Sequence, residues 1–301
     1  MYMDRAPEII AGSAKLTLSV KPINDILGSM DESEACKWVL ELFRRGHGSP
    51  FEHGVYSFEI TCSRVTSHQI VRHRIASYTQ LSQRRGDKLL REVVREACRY
   101  LGIEYPGKPG SRSTYMAYVD ILGKILDHDP PWDKLLEITC RGFIIPPMVY
   151  HGRDKGFLRE LIRSLMEYYR ALANGYHPED ARYLLPQSVK TRLYVTMNTR
   201  ELVENFLPLR MCSHAQWEIR YIAWSLWRQL VKIHPQIFRY TGPRCILYEN
   251  RVRREPCTLE DYISGEKQFT IERCPELVPR EQIRSCLEHA SSDPWKILST
   301  Q

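Results

Sequence analysis

The chain is poor in several signals that would settle its class at once. No uninterrupted apolar run approaches the roughly 20 residues that a membrane-spanning helix needs, so a soluble protein is expected. Nine cysteines are present, an odd number, yet no two stand in a Cys-x-x-Cys pair. Spacing of that kind argues against a secreted disulfide framework, and with no basic and apolar leader it points to a reduced, cytoplasmic protein. It also weighs against a structural zinc site in the C-terminal region, where Cys245, Cys257, Cys274 and Cys286 lie far apart; such sites usually include close cysteine pairs. No Gly-x-Gly-x-x-Gly follows a strand, which excludes the Rossmann way of holding a dinucleotide. Gly107-Lys108-Pro109-Gly110-Ser111 superficially resembles a phosphate loop but lacks the Walker spacing, and it reads as a turn. Internal repeats and low-complexity tracts are missing too.

What is there is a globular composition, 43% hydrophobic and 10% aromatic over 301 residues, with a formal net charge of +7. That length allows one large domain or two small ones. The positive balance favours anionic partners without choosing between a nucleotide and a nucleic acid.

Arg72-His73-Arg74-Ile75-Ala76-Ser77-Tyr78-Thr79-Gln80-Leu81-Ser82-Gln83-Arg84 is the stretch that stands out. It gathers three permanent cations, an imidazole, the three aliphatic hydroxyls of Ser77, Thr79 and Ser82, and two amides, with too few apolar positions to fill a core. Guanidinium forks match phosphate and carboxylate, and hydroxyls with backbone N–H groups complete an oxyanion cradle. A phosphorylated ligand is the natural counterpart. A solvated basic face is the plain alternative for any single Arg-His-Arg triplet.

Around this stretch the pattern predicts a strand or hairpin edge over residues 8–20, an amphipathic helix from Ser33 to Arg45 closed by Gly46, and a strand over Val55–Cys62. Ser63 is placed to cap a short helix that carries Gln69 toward Arg72. Residues 86–141 read as an insertion with two helices, Leu89–Leu101 and Tyr115–Leu126. A long core helix runs from Leu158 to Leu172, Pro178 opens a short one that delivers Arg182, and Thr191–Asn198 alternates as a strand. Thr199 is read as the cap of the following helix. Ser213 to Leu230 opens a helix apolar on two sides, suited to a subunit interface or to a central core position.

The Arg-His-Arg, seven residues, Ser signature closed by Gln-Arg resembles that of the flavin-dependent thymidylate synthases. Ser49-Pro50-Phe51-Glu52-His53, Asn198-x-Arg200, Asn205-Phe206-Leu207-x-Leu209-Arg210 and Ser213-His214-Ala215-Gln216-Trp217-Glu218 match the same family in order and spacing. The resemblance covers about Ser49–Arg84 and Phe143–Arg220. Arg85 departs from it, standing where most members have Tyr. The resemblance implies an α+β fold, a mixed or antiparallel sheet packed with long helices, in a homotetramer whose sites form between subunits. It implies that Arg72, His73, Arg74, Asn198, Asn205 and His214 hold FAD. Gln69, Gln80, Leu81, Ser82, Arg84, Arg182 and Arg210 would hold dUMP, and His53 would lie near flavin and folate. Residues 1–240 would form the family domain and 241–301 a C-terminal extension dispensable for FAD binding.

The implied reaction is reductive methylation of dUMP to dTMP, with methylenetetrahydrofolate as carbon donor and NADPH reducing FAD. Methylation at C5 of uracil needs electron density pushed onto that carbon. Classical thymidylate synthases do this with a thiolate from a Pro-Cys-His or Pro-Cys-Gln turn, whereas the one Pro-Cys here is followed by Thr258. Arg210 is the residue expected to stabilise charge developing on the pyrimidine. Ser82 sits at the nucleophile-like position, but without a neighbouring base it is read as a nucleotide ligand. Two other readings are a flavoprotein of the same fold acting on another nucleotide, and a basic protein binding nucleic acid through Tyr and Arg. Under the enzyme reading neither membrane nor nucleic acid is a partner.

Overall fold

A computed structural model describes residues 1–84 and 86–296. Arg85 lies outside them. The described residues divide into two compact units: residues 1–58, 69–78 and 194–296 form the first, and residues 59–68, 79–84 and 86–193 the second. Three strands, β1 (Val55–Ser63), β2 (Ala76–Gln80) and β3 (Lys190–Asn198), make one antiparallel sheet in the order β1-β3-β2. Inward Leu193, Val195 and Met197 on β3 alternate with outward Arg192 and Tyr194, as a half-buried strand requires.

In the first unit, residues 6–16 are a helix, Ala6–Leu16, and not the strand that the alternation of residues 8–20 predicts. Ala6, Ile10, Ala11 and Ala14 are buried at helical spacing and Pro7 sits in the first turn, where its missing N–H costs nothing. Gly12, read from sequence as a break, is inside the helix: a Cβ there would meet Leu27 Cδ2 at 2.5 Å. This helix packs on Glu32–Arg45, which is capped by Asp31 at its start and by left-handed Gly46 at its end. The helix Trp217–Ile233 is an interior element of the unit, with Ile219, Ala223, Leu226 and Leu230 buried. Its Trp224 and Trp227 indoles donate to the carbonyls of Met211 and Phe238.

The tail contributes three helices to the same unit, Arg244–Val252, Leu259–Ser264 and Arg280–Ser291. Ile246, Leu259, Tyr262, Ile283 and Leu287 are all buried. Glu249, fully buried, fastens the tail from inside: its carboxylate accepts from the N–H groups of Thr270 and Ile271, from the Thr270 hydroxyl at 2.7 Å, and pairs with Arg253 at 2.7 Å. Cys212, Cys245, Cys274 and Cys286 line one small cavity. Among the described residues, no group of three or more His, Cys, Asp or Glu is arranged to hold a metal ion.

The second unit is organised by the helices Lys88–Leu101, Arg112–His128 and Lys155–Ala173. The first two lie in residues 86–141, which the sequence pattern marks as an insertion, with a shorter helix, Trp132–Thr139, that the pattern does not reveal. Val93, Leu122, Leu135, Leu161, Ile162 and Leu165 share a single apolar cluster. Ser63 caps the short helix Arg64–Ile70 through the Thr66 N–H, as its position in the sequence predicts. Among the described residues no helix is long and apolar enough to cross a membrane.

Candidate functional site

Within the first unit, the signature turns away from the end of the Arg64–Ile70 helix and enters β2. Tyr78 fixes that turn by directing its hydroxyl at the carbonyls of Ile70 (2.9 Å) and His73 (2.6 Å). Burial, helped by the Glu201 carboxylate, pushes the phenol up to about 12, so it stays a donor. The turn leaves Arg72 and Arg74 exposed while the His73 ring between them is buried. Among the described residues, no acid pairs with either arginine.

His73 is therefore an interior residue. Its Nδ1 lies 2.8 Å from Glu201 Oε1, and its Nε2 lies 2.9 Å from Arg210 Nε. The edge of the Phe206 ring closes the pocket, with centroids 5.0 Å apart. Arg210 also donates from Nη2 to the Gln69 carbonyl at 3.1 Å. Two of its five N–H donors are thus engaged among the described residues and three remain. Its half-buried guanidinium is shifted down by desolvation, yet an arginine remains charged there.

Glu201 begins a π-helical turn, Glu201–Phe206, that runs into the helix Leu207–Arg210. Asn198, not Thr199, supplies the cap: its Oδ1 accepts the Glu201 N–H at 2.8 Å. Asn205 donates from Nδ2 to Glu201 Oε2 at 3.0 Å. Each of these amides spends one end inside the protein, and the other has no partner among the described residues. Three residues expected at a flavin site, His73, Asn198 and Asn205, thus converge on an acid that the sequence reading passed over. The signal was the Asn-x-x-Glu spacing, a capping pattern.

Arg200 holds the neighbouring loop in register. It pairs with Glu204 at 2.9 Å and with Glu52 at 2.5 Å, beside exposed His53 on the turn Ser49–His53. A groove of about 560 Å³ in this unit is lined by Leu18, Lys37, Trp38, Arg45, His47 and Ser49 among others. His214 is exposed, 4.0 Å from Glu276 of the tail.

The second unit carries Gln80, Leu81, Ser82, Arg84 and Arg182. The Gln80 amide donates to Thr191 at 3.1 Å, and the Leu81 N–H to the Arg192 carbonyl at 2.8 Å, extending the pairing with β3. Ser82 and Arg84 follow, both exposed. Among the described residues, no carboxylate or imidazole hydrogen-bonds Ser82, so nothing is set to take its proton. Arg182, braced by its Nε on the Glu179 carbonyl at 3.0 Å, lines a cavity of about 280 Å³ with Arg64, Gln83, Tyr183 and Gln187. No acid lines it. The sequence reading did not include Arg64, whose only signal was its place beside Ser63.

An α+β frame with guanidinium groups unpaired among the described residues suits anionic ligands, and comparison with known proteins narrows the class. The family model described as "Thymidylate synthase complementing protein" matches residues 1–236. Curated relatives named "Flavin-dependent thymidylate synthase" include one from Aeropyrum pernix, 44% identical over 97% of this chain and 91% of that protein, and one from Saccharolobus solfataricus, 37% identical over 97% and 95%. The chain belongs to the flavin-dependent thymidylate synthases, enzymes of the methyltransferase type. The fold is shared with a Helicobacter pylori member solved with FAD and dUMP (TM-score 0.53, 22% identity, 80% of this chain and 97% of that one). It is also shared with a UMP/dUMP methylase from Streptomyces cacaoi (TM-score 0.51, 24% identity, 77% and 88%).

Proposed function

We propose that this protein converts dUMP to dTMP by reductive methylation, taking the carbon from methylenetetrahydrofolate and electrons from NADPH through bound FAD. The observation that carries the reading is the Glu201–His73–Arg210 array, which presents a charged guanidinium with three free N–H groups beside two unpaired arginines. Arg72 and Arg74 fit the pyrophosphate of FAD, for which this chain has no glycine-rich helix start, and the free amide ends of Asn198 and Asn205 fit its polar edges. His214 completes that set. Bound FAD, once reduced, supplies hydride.

The chain's own groups do the rest. Arg210 stabilises negative charge on the pyrimidine as C5 becomes nucleophilic, which is where a preorganised donor counts most. Gln69, Gln80 and Leu81 orient the base, while Ser82, Arg84 and Arg182 take the phosphate. His53 stands near flavin and folate. Trp38 with Lys37 and His47, in a groove where Glu41 already holds Arg45, suits an aromatic co-substrate bearing acidic groups, a description that methylenetetrahydrofolate and NADPH both meet. The family's assembly, a homotetramer with sites between subunits, and a cytoplasmic location belong to the same reading, with residues 241–301 as an extension to a domain of residues 1–240.

Purified protein should be yellow or take up FAD, and dUMP should perturb the flavin spectrum. Colourless protein that takes up neither and binds nucleic acid with a steep salt dependence would overturn the reading.

A further inference from the structure

The proton count around His73 gives Glu201 a task. Arg210 Nε always carries its hydrogen and points it at His73 Nε2, 2.9 Å away, so that nitrogen must be bare. The one hydrogen of the neutral imidazole is then on Nδ1, where Glu201 Oε1 receives it at 2.8 Å. Glu201 is only 3% exposed, and no lysine or arginine pairs with it directly among the described residues. Its neighbour Arg200 is turned the other way, onto Glu52 and Glu204. A carboxylate buried without a cation is costly. Here the compensating charge is reached through the imidazole: carboxylate, neutral ring and guanidinium stand in line.

We propose that Glu201 is a positioning residue for Arg210 and acts through His73. The carboxylate holds the imidazole in the Nδ1–H tautomer. The bare Nε2 then seats the guanidinium by its Nε edge, while the Gln69 carbonyl holds one Nη2 hydrogen. The opposite edge keeps its donors without a protein partner among the described residues. The logic is that of the buried acid in a Ser-His-Asp triad, where loss of the acid's charge admits the wrong tautomer. With the other tautomer, Nε2–H would face Arg210 Nε–H, donor against donor. In Glu201→Gln the neutral amide no longer selects one tautomer: its oxygen can accept from Nδ1–H only if the Asn205 amide turns over to take the NH₂, and in the other orientation the NH₂ itself claims Nδ1.

The inference rests on the reading of Arg210 as the group that stabilises the pyrimidine, so its test has one arm that needs no turnover. In protein labelled with ¹⁵N-imidazole, with the His73 signals assigned by their loss in His73→Asn, wild type should give Nδ1–H and bare Nε2. Glu201→Gln should shift the ring toward Nε2–H. The second arm is single-turnover dTMP formation with pre-reduced flavin and saturating dUMP. Glu201→Gln should slow it about tenfold or more, but only about threefold or less when Arg210 is already Ala, since residues acting as one unit are non-additive. A role confined to folding would instead give the same factor in both backgrounds. Glu201→Asp, which keeps the charge but withdraws it from the ring, should show a smaller loss with the same non-additivity, and serves if Glu201→Gln does not fold. Wild-type His73 protonated on Nε2, or an unchanged rate in both Glu201 variants, would overturn the proposal. A tautomer shift in a protein that forms no dTMP would leave the positioning of Arg210 standing and sink the assigned reaction instead.

Discussion

The proposed reaction gives Arg210 charge stabilisation and Ser82 anchorage, and two substitutions separate them. With dUMP saturating and flavin pre-reduced, Arg210→Ala should lose about a hundredfold or more in turnover, because a charge-assisted bond to a developing anion is worth about 3 kcal/mol. Ser82→Ala should weaken dUMP binding and still turn over. Abolished turnover in Ser82→Ala, or a dUMP adduct mapped to Ser82, would restore the nucleophile reading. The polar outline of the site was legible in sequence because arginines, amides and hydroxyls at fixed spacing have few structural uses. Glu201 was not, since an acid in the first turn of a helix ordinarily reads as a solvated partner of the helix dipole. Only the fold reveals that it points inward at His73, and that His73 supports Arg210 from within while Arg72 and Arg74 stay exposed.

At the scale of elements, the site depends on how closely the Ser49–His53 turn approaches the start of the π-helical segment. The Thr199 N–H donates to the Gly54 carbonyl at 2.8 Å, and a Cβ on Gly54 would lie 2.3 Å from Thr199 Oγ1. Thr199 is buried and β-branched, with little room to turn away. Gly54→Ala should therefore destabilise the protein by about 1–3 kcal/mol, the usual cost of overpacking, read as a lower denaturation midpoint. An unchanged midpoint would mean that the two segments separate without penalty. Elements with strong local signals were legible: Glu32–Arg45 with its Asp31 and Gly46 caps, Arg64–Ile70 behind Ser63, and strands β1 and β3. Ala6–Leu16 was not, because Ser13 beside Gly12 looks like a break unless one knows that Leu27 needs the space. Trp132–Thr139 gave too short a period to stand out.

For the whole molecule, sequence set residues 86–141 and 241–301 apart but not what they do for each unit. Helices within residues 86–141 supply much of the second unit's apolar core. Within the tail, the buried Glu249 carboxylate ties the helix Arg244–Val252 to residues 270 and 271, and that fastening should be sensitive to acid. Burial alone would raise the Glu249 carboxyl, but the Ile271 and Thr270 N–H groups, the Thr270 hydroxyl and Arg253 outweigh it and hold the group below its ordinary 4.5. A depressed carboxyl contributes stability that is fully present above the unfolded value and is lost as pH falls through the folded one. Acid titration of stability should thus show a loss beginning near pH 4.5 in wild type that is smaller in Glu249→Gln, whose stability at neutral pH should already be lower. An identical acid limb in the two proteins would exclude Glu249 as the fastening. Leu259→Ala, in the same packed tail, should cost about 2–5 kcal/mol, measured by chemical denaturation. A cost near zero would mark the tail as loosely attached.

One assay bears most directly on the reaction: formation of dTMP from dUMP by the FAD-loaded protein, supplied with methylenetetrahydrofolate and NADPH. The account predicts dTMP that requires all of FAD, NADPH and the folate, and that falls about a hundredfold in Arg210→Ala. FAD-loaded protein that binds dUMP yet forms no dTMP under those conditions, or dTMP formed at the wild-type rate by Arg210→Ala, would contradict it.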